Sequence, residues 1–156
     1  MQGFQDSTAE VDVLLVEDNA NDAEFALRAL RRAAPEARVA HVDDGARALD
    51  FLFCAGEFAG RVQCAAPRIV LLDLKLPKVD GIEVLRRVKA SDRTRPVPVA
   101  VLTSSKEPRD VAECYGAGAN SYVVKPVNFE AFTKALGEVV RYWLEVNRTP
   151  WHPGHG

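Results

Sequence analysis

Acidic, hydroxyl and basic side chains stand where apolar segments of the sequence end. Asp73 directly follows a run of four apolar residues, without a turn residue between them. A carboxylate held among apolar neighbours is costly unless its charge is paired or coordinated. Glu17 and Asp18 follow a second apolar run, Thr103 ends a third, and Lys125 ends a fourth. Three carboxylates, a hydroxyl and an ammonium group are the types of group that bind a cation and a phosphoryl group.

The chemistry predicted for this set is phosphoryl transfer. Converging carboxylates repel one another, and Mg²⁺ offsets that repulsion while binding one or two carboxylates, waters and a phosphate oxygen. Lys125 adds a mobile positive charge for a phosphoryl oxygen, and the hydroxyl of Thr103 can donate to another. Because phosphoryl transfer needs chiefly positioning and charge neutralisation, Asp73 is predicted to be the nucleophile and to form an aspartyl phosphate.

Taken singly, these residues have ordinary explanations. Glu17 and Asp18 precede a helical segment, where carboxylates interact favourably with the helix dipole. A lysine at a strand end is usually solvated, and Thr103 with the two serines after it resembles a common helix start. The functional interpretation depends on all of them occurring at matching strand ends.

The elements that must position these residues alternate five times between strand and helix patterns. The predicted strands are 11–16, 37–42, 68–73, 97–105 and 120–126, and the predicted helices follow each of them. Continuous apolar strands separated by helices indicate a parallel sheet covered on both faces. Five units favour a flavodoxin-like (βα)5 doubly wound five-stranded sheet, order 2-1-3-4-5, over an eight-stranded barrel of about 250 residues. In that order the first and third strands are neighbours, so Glu17, Asp18 and Asp73 converge.

Length and composition set further bounds. The 156 residues predict one domain over 11–147, with a flexible N-terminus 1–10 and a flexible C-terminal tail 148–156. A net charge of -2 argues against nucleic acid or an anionic membrane as the main partner.

The sequence shows neither a signal peptide nor a membrane span, and its three cysteines form no CxxC pair, so reduced thiols in the cytoplasm are predicted. The segment 54–68 is longer than a usual connection and is either a surface loop or a partner-specific insertion.

Four separated segments resemble the receiver domain of bacterial two-component response regulators: LLVEDN, LLDLKLPKVDGIEVL, VLTSS and GANSYVVKPVNFEAF. The resemblance covers about Val11 to Trp143. It implies that Asp73 accepts a phosphoryl group from a sensor histidine kinase, and that the chain is a phosphoacceptor rather than an enzyme, promoting its own phosphotransfer and autodephosphorylation. A single-domain regulator without an output domain is therefore expected to signal by protein contact.

The resemblance also implies roles for individual residues. Asp18, Asp73 and the backbone carbonyl of Lys75 would bind Mg²⁺, with Glu17 assisting through water. Thr103 and Lys125 would contact the phosphoryl group, and Thr103 and Tyr122 would act as the switch. The Lys125–Pro126 bond is expected to be cis. Two residues depart from the common pattern, since Glu17 stands where many receivers have Asp and Lys75 lies two positions after the phosphoacceptor.

Within the family, the sequence around strand five and the inserted loop resemble those of the small regulators paired with bacterial phytochromes. That similarity implies a bacterial phytochrome as a possible kinase and a homodimer through the face of helix 4, strand 5 and helix 5. Tyr142, Leu144 and Val146 either contribute an exposed apolar surface to that face or cover the core.

Three other functions are weighed against this one. An aspartate-dependent phosphatase of the haloacid-dehalogenase type has a second acid where Lys75 stands. A flavodoxin-like electron carrier needs a hydroxyl- and glycine-rich first loop, whereas EDNANDAE would repel phosphate. A receiver-like interaction scaffold that takes no phosphate is the remaining alternative, and the complete set of acidic, hydroxyl and basic residues argues against it.

Overall fold

The architecture is a five-stranded parallel sheet in the order β2-β1-β3-β4-β5, as predicted. It is seen in a computed structural model that describes residues 10–61 and 64–151. The elements in that part of the chain are β1 Val13–Val16, α1 Ala20–Ala33, β2 Val39–Val42, α2 Gly45–Phe53, β3 Ile69–Leu72, α3 Gly81–Ala90, β4 Val99–Thr103, α4 Pro108–Gly116, β5 Ser121–Val124 and α5 Phe129–Arg141. A 3₁₀ turn at Gly56–Phe58 follows α2, and a π-helical turn at Tyr142–Val146 follows α5.

The core is divided by the sheet into two apolar layers. Alternate strand residues point to opposite faces, so Leu14 packs with α2 and α3 whereas Leu15 packs with α1 and α5. The strands β1, β3 and β4 are buried along their whole length, which explains their continuous apolar sequence. Burying a side chain such as Phe132 or Leu136 of α5 stabilises the fold by roughly 1.5–3 kcal/mol each.

Side-chain caps determine where the loops at the carboxyl ends of the strands give way to helices. Asn19, Asp44, Asp80 and Asn128 each accept a hydrogen bond from the backbone N–H three residues later. Each cap is worth about 1 kcal/mol. The caps of α1 and α3 therefore help to hold the loops that carry Asp18 and Asp73.

Two close backbone approaches shape the loop after Asp73. A Cβ on Gly81 would lie 2.4 Å from the carbonyl oxygen of Asp73, and one on Gly45 would lie 1.7 Å from the carbonyl oxygen of Val79. The N–H of Gly81 also donates to the carbonyl of Leu74 at 2.8 Å. The loop is thus folded tightly against the ends of α2 and α3, and both positions require glycine.

The prediction of reduced thiols is wrong for two of the three cysteines. Cys54 and Cys64 form a disulfide with their Cα atoms 5.9 Å apart, and only Cys114 is a free, buried thiol. Cys54 ends α2 in the left-handed region at φ 55°, which turns the chain back so that Phe58 packs on Phe51. This turn of the chain brings Cys54 and Cys64 together, although their spacing in the sequence matches no cysteine motif.

Two other expectations differ from the structure. The described residues contain no cis peptide bond, so the Lys125–Pro126 bond is trans, the form that an X–Pro bond favours by about 0.5–1 kcal/mol without tertiary selection. The tail predicted to be flexible from residue 148 is packed as far as the structure describes it, since Thr149 is buried and Trp151 lies against the apolar layer of α2 and α3. Burial of the indole offsets the entropy of ordering this short segment. Residues 1–9 and 152–156 lie outside the described residues.

The described residues contain no helix that is long and apolar enough to cross a membrane.

Candidate functional site

A cleft of about 380 Å³ opens where β1, β3, β4 and β5 end. Its lining includes the six residues predicted to bind metal or phosphoryl: Glu17, Asp18, Asp73, Lys75, Thr103 and Lys125. Parallel pairing brings them together, because the N–H of Asp73 donates to Val16 of β1 and the N–H of Lys125 donates to Thr103 of β4. Tyr122 does not line the cleft and lies beside it.

Three carboxylates form the acidic part of the cleft. One oxygen each of Glu17, Asp18 and Asp73 lies within 4.8 Å of the others. Glu17 is only 3% exposed, and its two oxygens accept hydrogen bonds from Lys125 Nζ at 2.8 Å and from the N–H of Asn19 at 3.2 Å. Asp18 is exposed and Asp73 is partly exposed. This all-oxygen set fits a hard divalent cation, with Asp18 and Asp73 open to it and Glu17 already engaged.

The carboxylate of Asp73 is the most perturbed group in the cleft. Burial, the largest cause, and the charge of Glu17 together raise the pKa of Asp73 to about 7, against the opposing charge of Lys125. The backbone N–H of Leu74 donates to Asp73 Oδ1 at 2.8 Å and favours the ionised form. Without a bound cation, the ionised carboxylate is therefore disfavoured in this position.

Lys125 remains a cation in the cleft. Burial would lower the pKa of Lys125, but the hydrogen bond to Glu17 and the charge of Asp73 outweigh that effect and the pKa is raised. The ion pair joins residues 108 apart in the sequence. Lys125 is therefore a fixed positive charge next to the Asp73 carboxylate.

Thr103 and Tyr122 are connected through the loop between β4 and α4. Thr103 is 4% exposed, and its Oγ1 accepts from the N–H of Ser105 at 3.3 Å. The hydroxyl of Tyr122 donates to the carbonyl of Ser105 at 3.0 Å, and Ser105 Oγ donates to Asp110 Oδ2 at 2.6 Å. The sequence predicted Thr103 and Tyr122 but missed Ser105 and Asp110. A serine shortly before an acidic first helical turn was the available signal, and it is too common to be specific.

The comparison with protein families agrees with this fold and site. Residues 13–137 match the model of the response regulator receiver domain. The chain therefore belongs to the response regulator receiver family, whose members are phosphoacceptors in two-component signalling.

Within the family, the chain is related to regulators associated with phytochromes. It is similar to the crystal structure of the phosphorylated cyanobacterial phytochrome response regulator RcpA, with a TM-score of 0.82, 32% identity and coverage of 91% of this chain and 99% of that one. It is 33% identical to the response regulator Rcp1 of Synechocystis sp. over 88% of this chain and 92% of that protein. An Mn²⁺-bound structure of Rcp1, with a TM-score of 0.80, covers 90% of this chain and 99% of that one. Divalent metal binding thus occurs in this family.

Another relative is the probable methanogenesis regulatory protein FilR2 of Methanothrix harundinacea (strain 6Ac). It is 45% identical over 138 residues, which cover 88% of this chain and 86% of that protein. The relatives therefore include proteins described in different signalling contexts.

Proposed function

We propose that this chain is a response regulator that accepts a phosphoryl group on Asp73 from the phosphohistidine of a sensor histidine kinase. The observation that carries the proposal is the placement of the Asp73 carboxylate between two further acids, the Lys125 ammonium group and the Thr103 hydroxyl at adjoining strand ends. Because such a kinase is supplied with ATP, the proposal places the chain in the cytoplasm.

The transfer is a displacement at phosphorus. A carboxylate oxygen of Asp73 forms the new O–P bond while the N–P bond of phosphohistidine breaks, and the bonding pair leaves with the imidazole, which takes a proton from solvent. Lys125 neutralises charge on the transferred oxygens, and Thr103 donates a hydrogen bond to one of them. Both groups act chiefly by position and charge, as phosphoryl transfer requires.

We propose that the divalent ion is Mg²⁺, held by Asp18, Asp73 and the backbone carbonyl of Lys75, with Glu17 assisting through water. The engagement of both Glu17 oxygens by Lys125 and Asn19 supports an indirect role for that residue. When bound, Mg²⁺ supplies charge neutralisation for the phosphoryl oxygens.

The proposed output is a change of surface that another protein recognises. A phosphoryl group on Asp73 attracts the Thr103 hydroxyl, and Thr103 and Tyr122 share the same loop through Ser105. Movement of Thr103 thereby alters the surface near Tyr122, α4 and β5. A bacterial phytochrome is the kinase we propose, on the basis of the similarity to the phytochrome response regulator RcpA and to the bacteriophytochrome response regulators RtBRR and AtBRR.

A homodimer through α4, β5 and α5 is part of the proposal. Tyr142 and Val146, beyond the end of α5, are 47% and 54% exposed, so they are available to that contact. Leu144 is partly buried and packs against the apolar layer of α1 and α5. Of these three side chains, Tyr142 and Val146 offer apolar surface, whereas Leu144 covers the core.

The decisive experiment is labelling with acetyl phosphate and Mg²⁺, measured by intact mass or phosphate-affinity electrophoresis. The wild type is expected to gain one phosphoryl group and Asp73→Asn none. Asp80→Asn is the matched control, because asparagine also caps a helix well and Asp80 caps α3. Equal labelling of wild type and Asp73→Asn refutes the assignment.

The same assay separates the alternatives. Absence of label in a folded wild type indicates the phosphate-independent scaffold. Release of many equivalents of phosphate from phosphomonoesters indicates the phosphatase.

A further inference from the structure

The disulfide between Cys54 and Cys64 lies at the start of the long connection between α2 and β3. It joins the last turn of α2 to a point ten residues later, and both cysteines are partly exposed. Both occupy the left-handed region, with φ of 55° and 47°. Both residues therefore lie nearer to solvent than Cys114, which is fully buried.

A half-buried guanidinium group points at this sulfur pair. Arg61 Nη1 lies 3.1 Å from Cys54 Sγ and 4.0 Å from Cys64 Sγ. The same group donates to the carbonyls of Phe51 and Ala65 and stacks 3.8 Å from the centroid of the Phe51 ring. Burial lowers the pKa of Arg61. In the described part of the chain no carboxylate forms an ion pair with Arg61. The neighbouring groups that can become negatively charged are therefore the two cysteine sulfurs.

A second guanidinium group reaches the pair from the loop after α3. Arg93 Nη2 lies 3.2 Å from Cys64 Sγ, and the side chain of Arg93 forms no salt bridge among residues 10–61 and 64–151. Two cations thus face two sulfur atoms. In the disulfide form the sulfurs carry no charge, whereas in the reduced form a thiolate would pair with either guanidinium group.

This charge arrangement favours the reduced state more than an uncharged environment would. A neighbouring cation stabilises a thiolate, and stabilisation of the leaving thiolate makes a disulfide easier to reduce and faster to exchange. Arg61 also holds the loop through the carbonyls of Phe51 and Ala65, so Arg93, which contacts Cys64 Sγ, is the cation that tests the effect of charge alone.

We propose that Cys54 and Cys64 form a redox-active site that exchanges with thiols such as glutathione or a protein dithiol. A thiolate of the reductant attacks one sulfur and forms a mixed disulfide, and the other cysteine leaves as a thiolate beside the arginines. A second reductant thiolate displaces the remaining cysteine, so the reductant is oxidised to its disulfide while the chain gains two electrons. The two negative charges brought by the reductant thiolates end on Cys54 and Cys64, where each sulfur either takes a proton from solvent or stays a thiolate beside a guanidinium group.

The site is separate from phosphoryl transfer. Within the described residues, neither the two cysteines nor Arg61 and Arg93 line the cleft that holds Asp73. The loop is anchored to α2 instead, by Phe58 packed on Phe51 and by the contact of Arg47 with Glu57. Asp73→Asn is therefore expected to leave the redox equilibrium unchanged, and the outcome of one proposal does not decide the other.

The test is equilibration of the full chain in a series of reduced-to-oxidised glutathione ratios, followed by an acid quench and mass analysis of alkylated thiols. We expect the Cys54–Cys64 pair to titrate within the series, and native-state alkylation of reduced protein to modify both cysteines but not Cys114. In Arg93→Gln the reduced fraction at a given ratio should fall, with the equilibrium constant for reduction lowered roughly two- to fivefold, as expected for loss of a partly exposed charge contact.

Arg95→Gln is the matched control, because Arg95 is also exposed and pairs with Asp92 rather than with sulfur. Three outcomes overturn the proposal. They are a chain that shows three free thiols after oxidation and denaturation, a disulfide that stays intact at every ratio, and equal effects of Arg93→Gln and Arg95→Gln. Circular dichroism of both variants checks that neither has unfolded.

Discussion

Replacing Asp73 by asparagine should stabilise the metal-free protein at alkaline pH. Burial and the charge of Glu17 raise the pKa of Asp73 from its ordinary value of 3.8 to about 7 against the attraction of Lys125. The folded state therefore binds this proton more tightly than the unfolded state does. Stability is lost as the pH rises from about 4 to about 7, and the loss is complete above the folded pKa.

The size of the effect follows from the pKa difference. One pKa unit corresponds to about 1.4 kcal/mol, so a shift of roughly three units gives an upper limit of about 4 kcal/mol. Asp73 is partly exposed and screened by solvent, so we expect about half of this, ~2 kcal/mol. Asparagine keeps an acceptor for the N–H of Leu74 and removes the charge. For a domain of this size, ~2 kcal/mol corresponds to roughly 4–8 °C in Tm.

The assay is thermal or urea unfolding of both proteins in a chelator from pH 4.5 to pH 8.5, followed by far-ultraviolet circular dichroism. The two free energies of unfolding should nearly agree at the acidic end and separate as the pH rises, with Asp73→Asn the more stable. Asp80→Asn should follow the wild type, because Asp80 caps a helix outside the cleft. The reasoning is refuted if Asp73→Asn is no more stable than wild type at pH 8, or if the difference is independent of pH.

Replacing the chelator by Mg²⁺ should reduce the difference in the free energy of unfolding between wild type and Asp73→Asn. A ligand that binds only the folded state stabilises it in proportion to the logarithm of its concentration above Kd. The wild type has all three carboxylates of the cluster and Asp73→Asn has two. Mg²⁺ should therefore raise the Tm of the wild type more than that of Asp73→Asn or Asp73→Ala.

Two further substitutions probe groups that contact the cleft around Asp73. Lys125→Met leaves the buried carboxylate of Glu17 without its ion-pair partner, so we expect a loss of about 3–5 kcal/mol in the free energy of unfolding and a loss of acetyl phosphate labelling. The control is Lys134→Met, which replaces an exposed lysine on α5 and should change neither property. Unchanged stability of Lys125→Met contradicts the ion pair. Gly81→Ala brings a Cβ within 2.4 Å of the Asp73 carbonyl oxygen, so it should lower the free energy of unfolding by about 1–3 kcal/mol and slow acetyl phosphate labelling. The control is Gly60→Ala, whose Cβ meets no atom within 4 Å and which should be neutral in both assays.

Much of the architecture could be predicted because it depends on local patterns. The apolar runs of β1, β3 and β4 are short and uninterrupted, as is typical of parallel strands buried on both faces. The caps at Asn19 and Asn128 mark helix starts. Once the strand order is known, the carboxyl ends of neighbouring strands must lie together. The convergence of Glu17, Asp18 and Asp73 is therefore already contained in the sequence.

The tertiary structure alone decided which groups pair. The partner of Lys125 is Glu17, and the loop of Thr103 is held through Ser105 by Asp110 and Tyr122, because these contacts depend on distances between elements that no spacing along the chain determines.

The same reason explains the expectations that were wrong. A count of cysteines carries no information about the left-handed turn that brings Cys54 to Cys64, and the composition of a terminal segment does not show that Trp151 has an apolar layer to cover. Sequence determined which chemical groups stand at the strand ends. Three-dimensional packing determined which side chains form a hydrogen bond, an ion pair or a covalent bond, because those interactions depend on ångström-scale distances that no spacing along the chain specifies.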